Sequence, residues 1–295
     1  MPPASLIVFG AGYCGTALAA ASPLPTNLVS RRPDALHPQS VTLVGFDDAG
    51  PAIACATHLV ATAAPDEAGD PVLARYAATI AAAPALRWIG YLSTTGVYGD
   101  RGGAWVDEDT LPAPSSARSA RRVDAEAAWC AAAPPGCAVD LVRLAGIYGP
   151  GRSALDDVAA GRARRVSKPG HVFGRIHRDD IVGMLLAAIA QHVPPGRRVL
   201  NGADAEPAAS ADVVAEAARL LGIDPPPLIP FAEAEPGMSA MGRGFWQDDR
   251  RVDSRQTQAA LDYAWRYPTY REGLRAIIAE QTADRGLEER QVLRP

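Results

Sequence analysis

Lysine is nearly missing from this chain of 295 residues: Lys168 is the only one, and arginine carries the rest of the positive charge. The net charge is −4, which leaves none of the basic excess that a nucleic-acid footprint needs. Only four cysteines occur (Cys14, Cys55, Cys130 and Cys137), and no two stand at C-x-x-C spacing, so neither a disulfide framework nor a zinc site is indicated. His171 and His177 likewise lack a partner at metal-ligand spacing. No apolar run approaches the ~20 residues of a membrane span. Residues 1–5 carry no basic flank, and the apolar run at 6–9 is too short for a secretory signal. A soluble, cytoplasmic protein without a metal, nucleic-acid or membrane partner is therefore expected. What the chain does have is apolar surface: 48% of residues are hydrophobic, enough for the core of one large α/β domain or of a domain with a smaller lobe.

The most informative stretch is 5–15, Ser-Leu-Ile-Val-Phe-Gly-Ala-Gly-Tyr-Cys-Gly. Residues 6–9 form a short apolar run suited to a buried parallel strand, and 17–21 continue as good helix formers. Between them Gly10, Gly12 and Gly15 stand at G-x-G-x-x-G spacing. A strand turning into a helix through three glycines is a dinucleotide fingerprint. Gly10 permits the turn, Gly12 the approach of a pyrophosphate, and Gly15 close helix–strand packing. The free N–H groups of the first helical turn, at Tyr13, Cys14 and Gly15, face the anion.

Downstream, strands and helices alternate, which implies a doubly wound parallel sheet. A second strand at 27–30 ends at Arg31-Arg32, where NAD-binding folds keep an acid for the ribose 2′-hydroxyl. Two guanidiniums there suit a 2′-phosphate instead, so NADP is expected in preference to NAD. A third strand, 41–46, ends at Asp47-Asp48, a carboxylate placed either to accept from an adenine amino group or to cap the next turn. The fourth, 57–63, ends in small residues, Ala63 among them, against which a cofactor can lie. Helices are expected at 70–82, 117–133, 153–165, 181–190 (capped by Asp179 or Asp180) and 211–221. Strands are expected at 86–93, 138–144 and 197–201. The stretch 231–249 has little periodicity and reads as a flexible lid, with Phe245-Trp246 as an apolar plug. Two tail helices are expected near 254–261 and 270–279.

The order of motifs resembles the extended short-chain dehydrogenase/reductases, and among them the atypical, nucleotide-sugar-epimerase-like members. Ser93-Thr-Thr-Gly-Val-Tyr-Gly99 matches the family's stretch after the fifth strand, and Arg143-Leu-Ala-Gly-Ile-Tyr-Gly-Pro-Gly151 its strand exit. Arg175-Ile-His-Arg-Asp-Asp-Ile181 and Tyr267-Pro-Thr-Tyr-Arg-Glu-Gly-Leu274 match two later segments. The glycine spacing departs slightly, since the family usually has G-x-x-G-x-x-G. The resemblance implies a Rossmann domain over 1–150, with 171–204 returning to it, and a smaller substrate lobe formed mainly by 151–170 and 205–295. By analogy it also implies a homodimer through the helices at 70–82 and 117–133.

Catalysis is where the pattern breaks. Active members pair a Ser or Thr with Tyr-x-x-x-Lys, four residues before a Glu. Thr94 stands at the hydroxyl position, but counting back from Glu126 puts Arg122 at the lysine and Arg118 at the tyrosine. Arginine has no proton to trade near neutral pH. Both arginines share one helix face and are expected to point at the cleft, with Arg122 keeping the lysine's hold on the cofactor. Replacement acids would be Tyr98, Tyr148 or His177, each of which has a packing role as its alternative. Arg152 and Arg175 are candidate contacts for an anionic substrate. Two functions stay open: an NADP-dependent reductase or epimerase, and a dinucleotide-binding sensor or scaffold that has lost the chemistry.

Overall fold

The computed structural model describes residues 3–32 and 37–292, with side chains described as far as 283. Its elements in chain order are β1 (Leu6–Phe9), α1 (Tyr13–Ala21), β2 (Thr26–Ser30), β3 (Thr42–Gly45), α2 (Gly50–Cys55), β4 (His58–Ala61), α3 (Pro71–Ala81), β5 (Trp88–Thr94) and β6 (Trp105–Val106). There follow α4 (Ala117–Ala132), β7 (Ala138–Leu144), β8 (Gly146–Tyr148), α5 (Ala154–Ala159), β9 (Arg165–Ser167), β10 (Arg175–His177), α6 (Arg178–Ala190) and β11 (Gly196–Gly202). The remainder comprises α7 (Ser210–Leu221), β12 (Leu228–Pro230), α8 (Phe231–Ala234), α9 (Ala240–Phe245), β13 (Arg251–Val252), α10 (Arg255–Leu261) and α11 (Tyr270–Val292).

Seven strands form one all-parallel sheet in the order β11-β7-β5-β4-β1-β2-β3. Both faces are covered, as parallel sheets require. On one face Leu6, Val8, Val60 and Val142 pack under α1 and α6. On the other, Ile7, Phe9, Ile89 and Leu141 pack under α2, α3 and α4. The chain order reverses between β1 and β4, and ligands bind in such a crevice outside the strands' carboxyl ends. A smaller apolar cluster, including Leu155, Val158, Val214, Ala217, Tyr270 and Leu274, joins α5, α7 and α11 into a second lobe.

Buried polar groups lock these layers. Asp70 caps α3 by accepting from the Val72 and Leu73 N–H groups, while its other oxygen accepts from Trp129 Nε1 of α4 at 3.0 Å. Asp180 accepts from the backbone N–H groups of Arg266 and Tyr267 and so ties the tail to α6.

Several elements differ from expectation. The helix expected over 153–165 stops at Ala159, because Gly161 enters the left-handed region (φ +66°) and Arg165 joins the short strand β9. The helix α6 begins at Arg178 and is capped by His177, which supersedes the aspartate cap: Asp180 is buried and committed to the tail. The lid segment carries α8 and α9, and Trp246 packs against His171, Phe173 and Phe231. The final helix continues well beyond 279.

Candidate cofactor and substrate cleft

The glycine turn sits at the crevice, and its three glycines differ in what holds them. Gly10 has φ +110°, and a Cβ there would lie 2.2 Å from Thr62 Oγ1. A Cβ on Gly15 would lie 2.0 Å from the Gly10 carbonyl oxygen. The fold itself demands glycine at both. Gly12 has extended backbone (φ −100°, ψ −170°), and a Cβ there would meet nothing within 4 Å. It caps α1, whose first backbone bond runs from the Thr16 N–H to the Gly12 carbonyl. The N–H groups of Tyr13, Cys14 and Gly15 therefore precede the helical ladder, at the positive end of the helix dipole.

Two cations stand beside this turn. The guanidiniums of Arg152 and Arg178 lie 5.7 and 5.2 Å from the centre of the Tyr13 ring. The Tyr13 hydroxyl donates to the Pro150 carbonyl at 2.9 Å and so pins the loop after β8 over the head of α1. Burial pushes the Tyr13 phenol up to about 12 and also raises the Cys14 thiol, so neither ionises near neutrality. Arg31 and Arg32 are exposed just past β2, and the Arg32 N–H donates to Ser30 Oγ. Asp47 is exposed in the turn after β3, and Ala63 follows β4. All lie beyond the carboxyl ends of their strands.

At the far end of the cleft, the Thr94 hydroxyl accepts from the Gly96 N–H at 3.1 Å. A Cβ on Gly96 would lie 3.3 Å from Thr94 Oγ1 and 3.0 Å from Ser119 Oγ, so these two hydroxyls flank one glycine. Ser119 was not singled out in the sequence because it sits one position after the expected tyrosine; its signal is its place three residues before Arg122 on α4. Arg122 turns inward and donates to the Leu92 carbonyl and the Tyr91 hydroxyl. Arg118, expected on the same side, is exposed instead, with its guanidinium 5.9 Å from the Phe245 ring.

Beneath the site lies a buried network. Arg143 donates to both oxygens of Glu126, at 3.1 and 2.7 Å, and Ser93 Oγ donates to Glu126 at 2.6 Å. The Arg143 guanidinium also lies over the Tyr98 ring.

The replacement acids do not converge here. Tyr98 is completely buried, and its hydroxyl donates to Asn201 at 2.8 Å, so it is a core residue. Tyr148 points into the second lobe: a Cβ on Gly273 of α11 would lie 2.0 Å from its hydroxyl, and burial drives its proton affinity far up. His177 is buried, and its Nδ1 accepts from the Asp179 N–H at 3.1 Å; burial holds it down to about 4, so it is a neutral cap. Arg175 and Arg152 are also not brought together: Arg175 donates to the carbonyls of Phe173 and Ala208, within the second lobe.

Comparison with known proteins gives this arrangement a context. No protein-family model matches the chain. A conserved protein of unknown function from Silicibacter pomeroyi is 40% identical, with TM-score 0.84 over 94% of this chain and 99% of that one. The two chains belong to one family. Their fold is that of the extended short-chain dehydrogenase/reductases, and the structural neighbours are NAD-dependent epimerases and dehydratases. MoeE5 in complex with UDP-glucuronic acid and NAD has TM-score 0.76 at 21% identity, over 95% of this chain and 99% of its own. The human epimerase family protein SDR39U1 with NADPH has TM-score 0.74 at 23% identity, over 92% and 98%. Protein YeeZ of Escherichia coli is 33% identical over 140 residues, 46% of this chain. That match spans about half of YeeZ (47%). Among the described residues no helix is long and apolar enough to cross a membrane.

Proposed function

We propose that this protein is an NADP(H)-dependent oxidoreductase or epimerase-like enzyme acting on an anionic substrate of the nucleotide-sugar class. The observation that carries the cofactor reading is Gly12. The fold gives it no internal reason to lack a side chain, yet its open face lies at the head of α1, where a pyrophosphate would rest. The residues present fit the group. The N–H groups of the first turn of α1 receive the pyrophosphate, with Arg152 and Arg178 adding positive charge. Arg31 and Arg32 receive a 2′-phosphate, Asp47 and Ala63 border the adenosine, and Arg122 donates to ribose hydroxyls. Bound there, a nicotinamide dinucleotide supplies hydride exchange. The Thr94 and Ser119 hydroxyls orient a substrate oxygen by hydrogen bonding. A homodimer through α3 and α4 completes the reading, by analogy with the fold family.

One observation favours a second reading, a dinucleotide-dependent sensor without turnover: neither Tyr98 nor Tyr148 presents a phenol at the Thr94 end of the cleft. Calorimetric titration with NADPH and NADH tests the cofactor reading. The expected result is binding by the native chain and at least tenfold weaker binding by Gly12→Ala with an unchanged melting temperature. Binding that survives the substitution at full strength refutes it. NADPH oxidation with a panel of nucleotide sugars then separates enzyme from sensor.

A further inference from the structure

The second lobe carries a cavity of about 380 Å³, open to solvent on one side, that the cofactor cleft does not use. Tyr148, Arg162, Arg164, Arg175 and Tyr270 line it, with apolar wall from α5, α7 and α11. Such a volume is about ten times a water molecule's share of the liquid, room for a small ligand.

Its polar groups are left without protein partners. Among the described residues the buried hydroxyls of Tyr148 and Tyr270 form no hydrogen bond, although the two residues are only 8% and 1% exposed. Arg175 uses one nitrogen, Nη1, for its two carbonyl contacts, and among the described residues it forms no ion pair. Beside it, Asp204 donates its own N–H to the Arg175 carbonyl, while both of its carboxyl oxygens lack hydrogen-bond donors. Arg162 is paired with Asp157 at 3.0 Å, whereas Arg164 donates to the Ala234 carbonyl at 3.4 Å and, among the described residues, forms no ion pair. The wall thus offers Arg164, which has no acid partner among the described residues, Arg175 with the Asp204 carboxyl behind it, and two phenols.

A buried donor left unpaired is costly, so the cavity is arranged for an acceptor-rich guest. Guanidiniums match phosphate oxygens in bidentate fashion, and phenols add single donors at the same oxygens. We propose that this cavity is a binding site for a small phosphomonoester, separate from the dinucleotide cleft, with Arg164 and Arg175 on the phosphate and the Tyr148 and Tyr270 hydroxyls donating to it. Inorganic phosphate and a sugar phosphate share this chemistry. The apolar wall and a volume larger than a phosphate ion needs favour the sugar phosphate.

The inference does not depend on the cofactor reading, and calorimetry on the full chain separates the two. Inorganic phosphate, glucose 6-phosphate and, in a separate cell, NADPH are titrated into the native protein, Arg164→Gln and Tyr270→Phe. Arg164 is exposed at the cavity mouth, and Tyr270→Phe removes a single oxygen, so both variants are expected to fold; melting curves confirm it. The expected result is one saturable site for glucose 6-phosphate, weakened at least tenfold in each variant, with NADPH binding the same in all three proteins. Tighter binding of inorganic phosphate than of glucose 6-phosphate would overturn the sugar-phosphate assignment. No saturable binding of either probe, or binding that either variant keeps at native strength, would overturn the site itself.

Discussion

The Arg122 guanidinium on α4 donates to the Leu92 carbonyl at 2.8 Å, and from the same nitrogen to the Tyr91 hydroxyl at 3.1 Å. One Nη atom is thereby fastened near the exit of β5, and among the described residues the other guanidinium nitrogens form no hydrogen bond. This held geometry is what a ribose contact needs, because a pre-positioned donor loses little freedom on binding. Arg122→Ala should weaken NADPH binding by roughly 1–3 kcal/mol, the cost of losing hydrogen bonds from a charged donor. Arg118→Ala should change it little, since Arg118 stands exposed against Phe245. Equal losses in the two variants would show that both arginines reach the cofactor.

Arg31 and Arg32 set the choice between cofactors. A charge-assisted bond to a 2′-phosphate is worth roughly 1.5–3 kcal/mol. NADPH should therefore bind more tightly than NADH, and the double change Arg31→Ala, Arg32→Ala should abolish the difference while leaving NADH affinity near native. Competition calorimetry measures both. A native preference for NADH would remove this role.

Glu126 and Arg143 form the costliest pair to break. Both side chains are about 5% exposed or less, so removing one leaves the other charged in a water-poor site. Arg143→Met should lower stability by about 3–5 kcal/mol, read from urea unfolding. Adding Glu126→Gln should recover part of the loss, since the stranded carboxylate is then gone. A double variant no better than the single one would assign the loss to packing over Tyr98.

Much of the sheet was legible because its signals are local. Apolar runs such as Leu6–Phe9 and Ala138–Leu144 are strands, and Gly222 in the left-handed region (φ +70°) ends α7 where a glycine stop was expected. The site was legible only at the glycine turn. The exposure of Arg118 was not legible, because i,i+4 spacing places it on one helical face with Arg122 but does not say where long side chains lead; strand β5 captures Arg122, and Arg118 lies against Phe245. His177 read as a titrating group because its burial and its bond to the Asp179 N–H arise from the packing of β10 against Tyr148 and Tyr267. The Glu126–Arg143 pair is 17 residues apart in sequence and is formed only when β7 docks beside β5.

Asp204 should make stability depend on pH in a direction opposite to that of an ordinary surface aspartate. It is 1% exposed, and burial raises its carboxyl from 3.8 to about 8, against the smaller opposing pull of Arg175. Across that interval the folded chain holds a proton that the unfolded chain has released. The contribution is complete at pH values below the unfolded pKa, declines as pH rises, and is lost by the folded pKa near 8. The slope is about 1.4 kcal/mol per pH unit. Asp204→Asn has no such proton to lose, and the other titrating groups cancel in the difference between the two proteins. The variant should therefore gain on the native chain by about 3 kcal/mol between roughly pH 5 and pH 7. Urea unfolding of both proteins at the two pH values measures the gain. A difference that stays constant would mean that Asp204 is already ionised in the folded chain, with Arg175 or a bound cation offsetting its burial.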